Sequence, residues 1–218
     1  MNYKFIACAF LLLLVISILQ SSVFATPMAQ KTIVIYPIFT QTAYGNHAFY
    51  DYYKKLCNST CLTVTIPKQL PKYTSSVGAV MILSGNNYNF ISDIDVDKNP
   101  EILKKYDRII LLHNEYVTRK EFNAIISHPN VVYLYPNALY AEVKVDYNKN
   151  TISLVRGHGY PNLSLGNGFQ WKYDNSKLEY DTACKNWIFY KIPNGSMLNC
   201  YPDLKILDDQ SLLRALQE

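Results

Sequence analysis

Apolar positions along this chain fall into short runs separated by polar, turn-forming segments. Thr32 to Pro37 (T-I-V-I-Y-P) is β-branched and nearly all apolar, as expected of a strand covered on both faces. A loop containing Gly45 follows. Phe49, Tyr52, Tyr53 and Leu56 then recur at helical spacing, which predicts a helix from about His47 to Leu56. Leu62 to Ile66 reads as a second strand stopped by Pro67. After a turn-rich stretch to Ser76, Val77 to Leu83 reads as a third strand. Asn99-Pro100 opens a short helix through Lys105, with Pro100 suited to its first turn. Arg108 to Leu112 is another buried strand. Thr118-x-x-Glu121 forms a capping box ahead of Phe122, Ile125 and Ile126, so a helix is predicted there, ended by Pro129. Val131 to Tyr135 is the next strand. This succession predicts an α/β domain with a flavodoxin-like, doubly wound and mostly parallel sheet.

The remainder changes character. Ala141 to Tyr147 and Thr151 to Val155 alternate polar and apolar residues around Asn148-Lys149-Asn150, which predicts a β-hairpin. Residues 156–205 are rich in Gly, Pro, Asn and aromatics without a helical period, and read as an irregular cap. Asp208 or Asp209 caps a final helix carrying Leu212, Leu213 and Leu216.

The first 25 residues stand apart. Lys4 precedes an apolar run from Phe5 to Leu19, and Val23-Phe24-Ala25 places small residues at a cleavage site, so residues 1–25 read as a signal peptide. The run to Ala25 approaches the ~20 residues that span a bilayer, which leaves an uncleaved membrane tether as the alternative. Residues 26–218 then form a single domain, secreted or extracytoplasmic, with Lys4 the only charge lost. The full chain has 218 residues and net charge +4. Its basic residues are scattered, so no nucleic-acid partner is indicated. The 19 tyrosines suit half-wet contact surfaces, although Asn, Lys and Ile are also common and codon bias explains all four.

Cysteine usage fits export. Cys8 lies in the signal segment. Cys57, Cys61, Cys184 and Cys200 form two close pairs, predicting the bridges Cys57–Cys61 and Cys184–Cys200 among three possible pairings. Four thiolates on zinc are the alternative, but C-x15-C is not a typical zinc spacing. Sequons stand at Asn58, Asn162 and Asn194.

Ligands of open α/β sheets gather beyond the carboxyl ends of the strands. Two such ends are polar here: Phe39 to Asn46 after the first strand, and His113-Asn114-Glu115-Tyr116 after Arg108–Leu112. Converging, they bring Tyr44 toward Glu115, a hard anionic oxygen pair suited to ferric iron or another Lewis-acidic cation, with His113 as base or supporting donor. The bland alternative makes Glu115 a helix cap and His113 a strand end. Asp93, Asp95 and Asp97 resemble the start of a calcium loop but lack its glycine and closing glutamate; an edge strand running into a helix N-terminus fits better. His158, flanked by Gly157 and Gly159, either lines a pocket or forms a turn. G-x-S-x-G, G-x-G-x-x-G and a Walker loop are absent, and no cysteine follows a strand and precedes a helix.

Ser92 to Thr118, with its D-x-D segment leading into H-N-E-Y (His113–Tyr116), resembles the C-terminal domain of the N,N-dimethylformamidase large-subunit family. T-Q-T-A-Y-G-N (Thr40–Asn46), with Phe49-Tyr50 beyond, and P-N-A-L-Y (Pro136–Tyr140) resemble loops of the same family. The resemblance covers Thr32 to Tyr140. It implies a class I glutamine-amidotransferase-like fold and an amidohydrolase whose iron is held by two tyrosines and a glutamate. Glu115 matches the glutamate, Tyr44 matches one tyrosine, and Tyr73 is the positional candidate for the other. Leu112 and Val117 stand where the family has glycine and tryptophan. These departures favour an exported, non-catalytic binding or envelope protein, with the Tyr-rich stretch Tyr160–Tyr201 as contact surface and a small molecule or envelope component as partner. The alternative is an extracytoplasmic iron-dependent amidohydrolase using Glu115, Tyr44 and His113.

Overall fold

Thr32–Tyr36 forms β1, buried along its centre, and the chain turns at Pro37 into helix α1 (Ile38–Ala43) and then α2 (Phe49–Tyr53). The computed structural model describes residues 31–68, 75–181, 183–202, 205–209 and 211–216. The predicted signal segment and Tyr73 lie outside them. All described residues belong to one compact unit beginning at Lys31. In chain order there follow β2 (Thr63–Thr65), α3 (Val77–Gly85), β3 (Asn89–Ser92), α4 (Asp93–Lys98), a 3-10 turn (Pro100–Lys105), β4 (Arg108–Leu111), β5 (Tyr116–Val117), α5 (Arg119–Ser127), β6 (Val131–Tyr133), β7 (Ala141–Asp146) and β8 (Thr151–Arg156). The chain closes with α6 (Leu178–Asp181), β9 (Phe189–Ile192), β10 (Gly195–Leu198), α7 (Lys205–Asp208) and α8 (Ser211–Ala215).

The described residues form an α/β structure with two sheets. The principal sheet has the order β3-β1-β4-β6-β10-β9, parallel except for the β10–β9 pair. From β1 the chain crosses first to β3 on one side and then to β4 on the other, so a crevice opens between the carboxyl ends of β1 and β4. Strand alternation supplies two cores. Ile33, Ile35, Ile109, Leu111 and Met197 face α4 and α5 through Val96, Phe122 and Ile125. Val34, Ile110, Val132 and Leu198 face α3, α7 and α8 through Leu83, Ile206 and Leu212. A smaller sheet of order β2-β8-β7-β5 packs Ile152, Val143 and Tyr116 against Phe39 and Phe49 of α1 and α2.

Several sequence expectations are corrected here. Val77 to Leu83 is helix α3, not a strand. A short apolar run reads alike for a buried strand and a buried helix. Gly78 lets this helix pack closely, since a Cβ there would sit 2.6 Å from Cγ2 of Ile206. The second strand of the parallel sheet is therefore β3, while Leu62–Ile66 yields β2 at the edge of the smaller sheet, antiparallel to β8. The loop after β1 is mostly helix α1. Within residues 156–205, the hairpin of β9 and β10 extends the principal sheet, with Gly195 (φ 152°) held so close to Val131 that no side chain fits. The C-terminal helix is two short helices, joined where Asp209 Oδ1 accepts from Ser211 N at 2.9 Å.

Among the described residues, the four cysteines form Cys57–Cys61 and Cys184–Cys200, which removes the zinc alternative and fits an oxidising compartment. Among the described residues, no helix is long and apolar enough to cross a membrane. The Cys184–Cys200 bridge pins the segment before β9 to the end of β10 in the second core. Replacing both residues by Ser should cost roughly 3 kcal/mol from the loop entropy released, read as a fall in the urea midpoint.

The Asp93-x-Asp95-x-Asp97 segment is helical, and each carboxylate has its own structural partner. Asp95 completes a capping box with Ser92. Buried Asp93 accepts from the backbone N–H of Phe39 at 2.8 Å, tying down α1. Asp97 accepts from the Tyr147 hydroxyl at 2.7 Å. A calcium loop is thereby excluded. At the facing end of α5, Thr118 Oγ1 accepts from Glu121 N at 3.1 Å, but the Glu121 carboxyl does not return the bond; it is fully buried and unpartnered. Burial, then the charges of Asp93 and Asp97, push its pKa well up. Unfolded, the group ionises near pH 4. Its contribution to stability is therefore complete below about pH 4 and is lost as pH rises through the raised folded value. The Tm of the native chain should fall over that rise, and Glu121→Gln should flatten the profile and raise stability at neutral pH by about 1 kcal/mol, measured by thermal unfolding across pH.

Candidate functional site

β4 and β5 belong to different sheets, and His113-Asn114-Glu115 is the bridge between them. That position explains why three polar residues in sequence are all completely buried. The bridge is held from both sides by backbone bonds. Leu139 N donates to Asn114 O at 2.9 Å, and Tyr140 N and Ala141 N both donate to Glu115 O. Thr40 Oγ1 of α1 accepts from Tyr116 N at 3.1 Å, and Ser76 Oγ accepts from His113 N at 3.1 Å. The crevice between β1 and β4 is thus walled by α1 on one side and the β4–β5 bridge on the other.

Four aromatic or imidazole groups surround the Glu115 carboxylate. Tyr44, at the C-terminus of α1, donates its hydroxyl to Oε2 at 2.5 Å. Tyr50 of α2 donates to Oε1 at 3.3 Å and lies 3.2 Å from the Tyr44 hydroxyl. His158 Nε2 bonds to Oε1. His113 Nε2 is 3.9 Å from Oε2 and 3.5 Å from Glu179 Oε1. Behind it, His113 Nδ1 meets Ser75 Oγ at 2.6 Å, and Asn137 Nδ2 donates to Glu179 Oε2 at 2.9 Å.

His158 reaches the site because the chain there is left-handed. Its φ is 50°, between Gly157 (φ 131°) and Gly159 (φ 76°), and a Cβ on Gly157 would meet that of Ala141 at 2.7 Å. The imidazole is held by rings on several sides, stacked on Tyr116 (24° between planes) and tilted against Tyr53 and Tyr140.

Burial pushes the Glu115 carboxyl up, but the hydrogen bond and charge of His158, with His113 and Tyr44, outweigh it and hold the group below the usual carboxylate range. The centre therefore carries an ionised, dry carboxylate. Burial lowers the His113 pKa, so its imidazole is neutral. Burial, then the Glu115 charge, raises the Tyr44 and Tyr116 hydroxyls far above ordinary phenols.

The donor set fits a hard or borderline cation. One ligand atom from each of His113, Glu115 and Glu179 lies within 4.8 Å of the others. The Tyr44 and Tyr50 hydroxyls stand beside this group, so oxygen and nitrogen donors able to hold a metal ion are gathered here. The arrangement also offers a proton relay, since neutral His113 faces Glu179.

Of the residues singled out from sequence, Tyr44, Glu115 and His113 come together. His158 proves to be a site residue rather than a plain turn former, and its two flanking glycines were the available signal. Tyr50 lay at the end of a recognised motif. Glu179 carried no signal, because it sits in a turn-rich segment that only the fold brings back to the crevice.

Tyr44→Phe should remove one of the bonds that stabilise the Glu115 charge. The expected loss is about 1 kcal/mol, small for a bond to a charge because Tyr44 is 36 % exposed, read from urea unfolding. His158→Ala should cost more, since it takes away both the bond and the aromatic packing. Compared with known proteins, the chain matches no family model, and no curated protein matches it.

Proposed function

We propose that the chain is an exported hydrolase of amide or C–N bonds in a small molecule, built on a flavodoxin-like sheet, with a Lewis-acidic metal ion at the Glu115 centre. The observation that carries this reading is the 2.5 Å approach of the Tyr44 hydroxyl to the buried Glu115 carboxylate, with the Tyr50 hydroxyl 3.2 Å from that of Tyr44. Two phenols and one carboxylate converge at the switch point of the sheet, the place where open α/β sheets bind ligands. Iron is the ion that the resemblance to the N,N-dimethylformamidase family implies. Tyr44, Glu115 and Tyr50 would hold it, and when bound it supplies Lewis acidity toward a carbonyl oxygen.

The chain's own residues supply the rest. Neutral His113 and Glu179, steadied by Asn137, form a pair able to take up and return a proton. Tyr116, Tyr53 and Tyr140 around His158 exclude water from one side of the carboxylate. Predicted residues 1–25 and the two disulfides support action outside the cytoplasm.

A second reading rests on a specific observation. Both oxygens of Glu115 already accept bonds from protein donors. A carboxylate so occupied suits a binding protein of the envelope that has lost catalysis. Metal content decides between them. The purified chain should contain about one iron per molecule by elemental analysis and show a visible tyrosinate-to-iron absorption band. Glu115→Ala should lose the metal, and Tyr44→Phe should shift or abolish the band. A colourless, metal-free chain in which Glu115→Ala changes no ligand or substrate response would overturn the hydrolase reading and leave the binding one.

A further inference from the structure

We infer that Asn58 and Asn162 are modification sites, each carrying an N-linked oligosaccharide, while the third sequon, at Asn194, stays bare. The inference rests on the export part of the reading above and not on the chemistry at Glu115.

Asn-x-Ser/Thr is the acceptor pattern for an oligosaccharide in an exported chain. The three sequons are Asn58-Ser59-Thr60, Asn162-Leu163-Ser164 and Asn194-Gly195-Ser196, none with proline in the middle. The pattern treats them alike. The accepting atom is the side-chain amide nitrogen, so the fold separates them by what it does with Nδ2.

At Asn194 the nitrogen is engaged inside the fold. Its Nδ2 donates to Ile125 O at 3.3 Å and to the Tyr133 hydroxyl at 3.0 Å, joining the end of α5 to β6. A glycosylated amide keeps one hydrogen, so at least one of these bonds is broken by a sugar. The chain beside it is already in contact, since Asn194 O accepts from Val131 N at 2.9 Å and a Cβ on Gly195 would sit 1.9 Å from Val131 O.

The other two sequons are arranged differently. Asn58, Ser59 and Thr60 are all exposed, within the loop closed by Cys57–Cys61. Asn58 Oδ1 accepts from Thr60 N at 2.9 Å. Asn162, Leu163 and Ser164 are exposed as well, Leu163 at 95 %. Asn162 Oδ1 accepts from Ser164 N at 3.0 Å and from the Ser164 hydroxyl at 3.1 Å. In both, the amide oxygen is spent on the third residue of the sequon. Among the described residues, Nδ2 of neither asparagine has an acceptor. Each turn is held without that nitrogen: the first by its disulfide, the second by Gly159 N donating to Leu165 O at 2.7 Å and Leu165 N donating to Asn162 O at 2.9 Å. Asn162 also stands at a cavity of about 560 Å³, where Arg156 and Gln170 offer donors to the hydroxyls of the first sugar.

The step joins Nδ2 to the anomeric carbon of an oligosaccharide carried on a polyprenyl phosphate. The bond from that carbon to the carrier's phosphate oxygen breaks, the phosphate leaves with the electron pair, and the amide gives up one proton.

The test uses the full chain recovered from outside the cells that naturally produce it, measured by intact mass and by peptide mapping. The peptides containing Asn58 and Asn162 should each carry a series of added sugar masses, and the peptide containing Asn194 should have its bare mass. Asn58→Gln and Asn162→Gln should each remove one glycan and one step in electrophoretic mobility, with the near-UV circular dichroism of the folded chain kept. Ser164→Ala should strip Asn162 of its glycan, and Ser164→Thr should keep it. A bare Asn58 or Asn162 on the exported chain overturns that assignment and leaves export standing. A glycan at Asn194 overturns the selection by the fold. A chain found solely in the cytoplasm overturns export and this inference together.

Discussion

A fully buried carboxylate must either be neutral or be surrounded by donors, and Glu115 is surrounded. His158, Tyr44 and Tyr50 all direct hydrogen-bond donors to it, and the imidazole of His113 stands close by. Keeping that charge out of water requires α1 and α2, the β4–β5 bridge and the glycine-flanked turn after β8 to be in register at once. Those segments come from distant parts of the chain. The carboxylate is thus the point at which the principal sheet, the smaller sheet and the C-terminal segment are coupled, and breaking one partner of such a group is expensive.

This coupling accounts for the unusual position of β5. Arg108–Leu111 is bound into the parallel sheet, yet six residues after Ile110 the chain is paired with β7 in the other sheet. The residues that make the crossing lie outside both ladders, so the carbonyls of Asn114 and Glu115 accept instead from the backbone N–H groups of Leu139, Tyr140 and Ala141. The P-N-A-L-Y segment therefore supports the site by holding its backbone, and Asn137 adds a side-chain bond to Glu179. The two left-handed residues Asn137 and Leu139 mark how tightly that loop is wound.

Buried acids recur on the other side of α1, with a different outcome. Asp93 and Asp97 have neutral donors, and Glu121 has none. At Asp93 and Glu121, with no imidazole nearby, burial and the neighbouring carboxylates favour the protonated form, whereas the histidines beside Glu115 favour the charged one. One helix thus separates a dry, ionised carboxylate from a dry, neutral one, a contrast set wholly by neighbours.

Much of this was legible along the chain. The β-branched runs of β1, β4 and β6, the capping residue of α5, the hairpin of β7 and β8 and the two cysteine pairs are local signals, decided by side-chain shape, caps and short loops. The polar tips after β1 and β4 pointed to Tyr44, His113 and Glu115, because strand ends are where a parallel sheet exposes functional groups. Only the tertiary structure decided the rest. Val77 to Leu83 is apolar enough for either a strand or a helix, and its packing in the second core is visible only in the fold. Thr63–Thr65 has strand character but no signal saying which sheet receives it. His158 and Glu179 reach Glu115 across 43 and 64 residues of chain, through a turn-rich segment whose path no local propensity specifies. Local pattern determined which elements form; long-range packing around one buried charge determined which side chains meet.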